Sequence, residues 1–197
     1  MDGRWMHRNP QKVSILDARK LGSGFGDFKV LPIKDRELFL RYAIPCGEVL
    51  VRRGEVREEL LKKLNDSVKN KENVDYPIED VFKVASRMCT IIAKRMGKNE
   101  IDDEVIRRYF LIEHENAILW RKQVRPELKL EECLVYPGRV LKVAHDGILV
   151  KTPLGEKLFR NDFAQDLRPR DWVSVHYDYV SERLSESHVK RMKARRP

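Results

Sequence analysis

The chain is poor in the residues that announce chemistry most directly. It holds three cysteines, Cys46, Cys89 and Cys133, too far apart to form any CxxC pair. That argues against a disulfide framework and against a structural zinc site of the paired-cysteine kind. No apolar run approaches the ~18–20 residues of a membrane span, and the opening MDGRWMHRNPQK lacks the apolar stretch of a signal peptide. The expectation is a cytoplasmic protein with free thiols and no membrane partner. Gly22, Gly24 and Gly26 suggest a phosphate loop, but no Gly-Lys-Ser/Thr ending follows and no strand–loop–helix unit surrounds them. The five histidines are scattered, and no serine–histidine–acid or paired-carboxylate arrangement stands out among 31 acidic residues. No catalytic residue can be singled out, and the expectation is that the chain is not an enzyme.

Charge is what the chain has in quantity. Charged residues make up 36%, against roughly 25% in an ordinary globular chain. Both signs are abundant and Gln is scarce, a composition suited to the ion-pair networks of a thermophile. The net charge is +9, and its location decides its meaning. From Cys133 onward there are 13 basic and 8 acidic residues, and five of the basic ones fall in Lys190–Pro197. Without that tail the second part is neutral. A nucleic-acid groove needs positive charge gathered on one face, whereas a basic tail is usually a solvated end.

Hydrophobic periodicity divides the chain. After an irregular start, Asp35–Ile44 carries Leu38 and Tyr42 at helical spacing and is expected to close at Pro45. Arg57–Val68 repeats the pattern. Pro77 opens the clearest helix, whose stripe runs through Val81, Val84, Ala85, Met88, Cys89, Ile92, Ala93 and Met96, with Gly97 at the cap. Ile101–Trp120 gives one more. Pro126 then breaks the pattern and introduces a linker. Beyond it come short β-rich runs: Leu134–Val143, Ile148–Thr152, Lys157–Arg160 and Trp172–Tyr177. Turns at His145-Asp-Gly147 and Pro153-Leu-Gly155 separate the first three. Ser185 can cap a closing helix. The fold class is α+β: a mainly α-helical domain over 1–126, then a small OB-like β-barrel over 132–197.

Cys89 lies on an apolar helix face and reads as core. Cys46 follows Pro45 between two helices, with nothing nearby in sequence to activate it. Cys133 stands at the mouth of Glu132-Cys-Leu-Val-Tyr-Pro-Gly-Arg-Val140, either as a small core residue or as a thiol presented at a strand end. His114 lacks the second histidine of a zinc-binding helix. His176 alternates with Trp172 and Ser174, opposite Val173, Val175 and Tyr177. The valine side is the expected core, which would turn His176 outward.

The second part resembles the HypC/HupF-type hydrogenase maturation chaperones. Cys-Leu-Val-Tyr-Pro-Gly-Arg-Val140 is similar to that family's Cys-Leu-x-x-Pro-Gly-Lys-Val opening. Asp171-Trp-Val-Ser-Val-His-Tyr-Asp-Tyr-Val180 is similar to its second signature, Gly-Asp-Tyr/Trp-Val-x-Val-His-x-Gly-Phe-Ala. The resemblance covers residues 132–192. It implies an OB-like barrel and a thiol that helps hold transient iron, suited to a soft thiolate ligand. Cys133 carries over as iron ligand and His176 as second ligand or proton carrier. Pro137 and Gly138 carry over as the turn that aims the thiol, and Tyr177 falls on the partner surface. The implied partners are hydrogenase maturation factors or the large subunit of a nickel-iron hydrogenase. The sequence departs from the family in two respects: 132 residues precede the cysteine, and Tyr177-Asp-Tyr-Val180 replaces the Gly-Phe-Ala segment after the histidine.

Two other classes compete. An OB barrel can bind single-stranded RNA, with Trp172, Tyr177 and Tyr179 stacking on bases and Arg195 and Arg196 gripping phosphate. The same barrel can also serve as a protein-interaction module that kept the fold and lost the metal.

Overall fold

A computed structural model describes residues 29–124 and 130–194, without the side chains of 120–124 and 130. The Gly22–Gly26 segment, the Trp120 side chain, the Pro126 linker, Arg195 and Arg196 lie outside the described residues. Helix α1 spans Arg36–Arg52 and is capped by Asp35, whose carboxylate accepts the Leu38 N–H at 2.9 Å. It does not stop at Pro45 as expected. Proline removes the N–H due to the Arg41 carbonyl and costs about 3 kcal/mol inside a helix. Packing overrides that cost, because Tyr42, Ala43, Ile44 and Gly47 around it are all buried. Gly47 lets α2 (Glu58–Asn70) approach closely: a Cβ there would lie 2.4 Å from Leu61 Cδ1.

The helix expected from Pro77 is two helices, α3 (Ile78–Val81) and α4 (Lys83–Arg95), parted at Phe82. At the end of α4, Gly97 takes φ +71° and the Lys98 N–H reaches the Ala93 carbonyl at 2.9 Å. This is the glycine-terminated cap anticipated there. Ile101 pairs with Ile33 in an isolated parallel bridge instead of opening a helix. Asp102 caps α5 (Asp103–Arg107), which passes into a π-helical stretch over Arg108–Glu113 and then α6 (His114–Val124). Such π segments are rare and are frequently found at functional sites.

A short α7 (Leu130–Cys133) leads into the sheet. Strands β1 (Val135–Ala144), β2 (Gly147–Thr152), β3 (Gly155–Phe159), β4 (Trp172–His176) and β5 (Tyr179–Arg183) pair antiparallel in the order β3-β2-β1-β4-β5. Both expected hairpin turns are present, with Ala144 paired to Gly147 and Thr152 to Gly155. Helix α8 (Glu186–Ala194) starts at Ser185, whose hydroxyl accepts the His188 N–H at 3.3 Å. The sheet is not closed as the expected barrel. Between β3 and β5 there is an isolated parallel bridge, Arg160 to Tyr179, carrying hydrogen bonds of 2.8 and 2.9 Å.

Pro137 and Gly138 do not form a turn. They lie inside β1, opposite Ser174 and Val173. Gly138 is there for space, since a Cβ would fall 2.3 Å from Val150 Cγ1.

The sheet has two buried faces. Val140, Ile148, Val150, Val173, Val175 and Val180 fill one side of the sheet, the valine core. Its other side joins the helices in a shared core that includes Tyr42, Phe110, Val135, Tyr179, Leu184 and Val189. Polar contacts cross the same seam. Tyr42 Oη donates to Glu182 Oε1 at 2.6 Å, and the Arg107 guanidinium holds both Glu182 oxygens at 3.0–3.1 Å. Burial alone would lower the Arg107 pKa, but Glu182 and Asp103 outweigh it and raise it. Among the described residues, no helix is long and apolar enough to cross a membrane.

Candidate metal centre

His176 closes β4 and is fully buried, not turned outward as expected. The alternation along β4 holds, with Val173 and Val175 facing the valine core. The helices cover the other face, so the side opposite the valines is an interior too. Nδ1 of His176 lies 3.0 Å from the Tyr42 carbonyl of α1, and Nε2 lies 3.2 Å from the Cys133 carbonyl. Nε2 is also 3.5 Å from the Cys46 sulfur.

Continuing α1 through Pro45 is what brings Cys46 here, one helical turn beyond Tyr42 on the same face. The π-helical stretch ends at His114, which is buried, with its ring edge-on to His176 at a centroid separation of 5.4 Å. One ligand atom each from Cys46, His114 and His176 lies within 4.8 Å of the other two. The cluster is not visible in the sequence: Cys46 reads as a structural residue between helices, and His114 lacks a second histidine in its own helix. No spacing rule reveals it, because Cys46 and His176 are 130 positions apart.

The donor chemistry fits a metal ion. A thiolate with two imidazoles suits zinc, copper or iron. Bonds of ~2.3 Å to sulfur and ~2.0–2.1 Å to nitrogen place tetrahedral ligands about 3.5 Å apart, close to the observed 3.5 Å between Cys46 Sγ and His176 Nε2. The protonation of His176 points the same way. Both ring nitrogens face carbonyl oxygens, yet a neutral imidazole has one N–H. Burial pushes the His176 pKa down to about 4, although the Tyr42 and Cys133 carbonyls oppose the shift, so the ring is neutral near pH 7. The shorter contact assigns the proton to Nδ1, donating to Tyr42. Nε2 then turns its lone pair toward the Cys133 oxygen and the Cys46 sulfur, an assembly of acceptors that a cation or the Cys46 thiol proton reconciles. A carbonyl on the far nitrogen is also the usual orienting partner of a metal-bound histidine.

Cys133 is adjacent but is not one of the three. It is 9% exposed, packs with Ile118 and Leu134, and its sulfur lies 3.0 Å from the Tyr177 hydroxyl. It meets His176 through its carbonyl rather than its sulfur. Tyr177 begins the β4–β5 turn with φ +53°. Burial raises its pKa, and Cys46 and Cys133 add to the rise. Cys46, His114, Cys133 and Tyr177 together line a cavity of about 420 Å³.

The aromatic residues considered for base stacking are engaged elsewhere. Trp172 has Arg139 and Lys193 each 4.7 Å from its ring centroid. Tyr179 is buried, stacks on Phe163 at 5.5 Å and donates its hydroxyl to Glu48. Comparison of the chain with protein-family models, with curated proteins and with solved structures finds no match.

Proposed function

We propose that the protein is a metal-handling accessory factor, not itself an enzyme, that holds one soft or borderline divalent ion at Cys46, His114 and His176. The observation that carries this reading is the convergence of the three ligand atoms within 4.8 Å, with His114 and His176 buried and Cys46 half-buried. The resemblance to the hydrogenase maturation chaperones makes transient iron the favoured ion. It also makes nickel-iron hydrogenase assembly, or a related metallocentre assembly, the favoured setting. Support for the OB-like part comes from the strand order: β1-β2-β3 is a meander, β4 lies beside β1, and β5 touches the end of β3 through the Arg160–Tyr179 bridge. In this reading the helical layer supplies two of the three ligands, and Cys133 with Tyr177 shapes the entrance.

The test is anaerobic titration of the full chain with Fe(II) and with Zn(II), followed by metal analysis after gel filtration. One retained equivalent is expected, and Cys46→Ser or His114→Ala should lose it while keeping the far-ultraviolet dichroism. Retention unaffected by either variant would sink the assignment.

A further inference from the structure

The three-residue site invites the question of what completes it. Among the described residues, three ligand atoms of His, Cys, Asp or Glu come together there, and a tetrahedral ion takes four. Two of the three residues, Cys46 and His114, also line the cavity of about 420 Å³. A water occupies about 30 Å³ in the liquid, so the space suits an organic molecule. Its walls are mostly apolar, with Val49, Leu50, Val56, Val81, Phe82 and Ile118 among them.

Charge narrows the occupant. A divalent ion with one thiolate and two neutral imidazoles carries a net +1. An uncompensated charge in a buried setting is costly, and an anionic donor removes it. Arg53 adds a second reason. It is part-buried on the cavity lining and forms no ion pair with a carboxylate among the described residues. Glu55, Asp80 and Lys83 also reach the lining, but they stand exposed, where water screens them.

We infer that the ion keeps an open position facing this cavity, which takes a small organic anion: a donor head on the metal, a short apolar body, and a carboxylate-type end at Arg53. The inference rests on the metal reading above and adds the ligand class. Cys133 lines the same cavity and is the competing fourth ligand.

The experiment uses the full chain loaded with Co(II), whose d–d and thiolate-to-cobalt bands report coordination. The probes are 3-mercaptopropionate and 1-propanethiol, which share a thiol and differ in the carboxylate. Both should shift the cobalt spectrum while the metal stays with the protein. The carboxylate-bearing probe should bind about tenfold tighter, the size of one charge-assisted hydrogen bond. Arg53→Ala should bring the two affinities together. Bound cobalt that ignores both probes, or is stripped by them, overturns the open position while leaving the metal reading intact. A thiolate-to-cobalt band that falls by half in Cys133→Ala overturns it as well, because Cys133 then fills that position. Equal affinity of the two probes in the unaltered protein overturns the role of Arg53. Failure of cobalt to bind at all removes the metal reading and this inference together.

Discussion

Strand β4 separates two interiors of different character. On one side Val173 and Val175 meet Val140, Ile148, Val150 and Val180 in a mostly aliphatic core that also holds Tyr136 and Phe159. On the other, Ser174 and His176 meet Tyr42, Cys46 and His114, with Glu182 and Arg107 close by. The first interior belongs to the sheet. The second exists because helices from the first part of the chain lie across the sheet's outer face. Apolar burial is non-directional and tolerates exchange of similar residues. Buried polar groups must each find a partner. The valine-lined core therefore belongs to the sheet alone, whereas the helix–sheet side combines a larger apolar core with the polar groups of the proposed metal site. Stability and metal binding should divide along that line.

The largest effect is expected in the valine core. Ile148→Ala, at a fully buried position, should cost about 2–5 kcal/mol in urea or guanidinium unfolding. Metal affinity of the molecules that remain folded should be unchanged. A parallel loss of affinity would show that the two interiors are not separable.

The seam should show its own signature in pH. The His176 pKa is about 4 in the folded protein because burial disfavours its charged form. In the unfolded chain it returns to about 6.5. Between these values the unfolded state binds the extra proton, so stability is full above pH ~6.5 and declines as pH falls toward 4. The complete loss is about 3 kcal/mol. Denaturant unfolding of metal-free protein at pH 7.5 and 4.5 should reveal this drop, and His176→Gln should reduce it by most of that amount. An unchanged drop in the variant would assign the acid sensitivity to other groups.

Gly138→Ala adds a methyl against Val150 and should cost about 1–3 kcal/mol by overpacking. The effect tests whether the Pro-Gly pair serves close strand packing, as its place in β1 implies, or a presenting turn. A neutral outcome would reopen the turn. The smallest effect is expected for Cys133→Ala, about 1 kcal/mol from the lost contact with Tyr177 and modest lost packing. Iron retention should persist. If retention disappears with no change in unfolding, the sulfur of Cys133 is a ligand.

Parts of this arrangement were open to reading from the residues alone. His145-Asp-Gly147 and Pro153-Leu-Gly155 carry turn chemistry that fixes hairpins locally, and the structure has both. The switch from helical to alternating periodicity marks where the helices give way to the sheet. The seam was not legible, for physical reasons. Pro45 signals a stop, but burial on both sides carries α1 through it and so puts Cys46 on the face it shares with Tyr42. The π-helical stretch before His114 has no simple sequence mark. The alternation of β4 correctly sorted its two faces, yet alternation cannot tell whether a second layer covers the outer one. His176 therefore lies buried where the alternation alone turned it outward, and its neighbours Cys46 and His114 come from two helices far upstream in the sequence.

In the proposed site one sulfur and two imidazoles from α1, α6 and β4 hold the ion. X-ray absorption at the metal edge, on the full chain loaded with one equivalent of Zn(II), reads this ligand set. One sulfur near ~2.3 Å and two imidazole nitrogens near ~2.0–2.1 Å are expected, with the sulfur lost in Cys46→Ser and kept in Cys133→Ser. A shell without sulfur, or a sulfur that vanishes with Cys133 instead of Cys46, rules the site out.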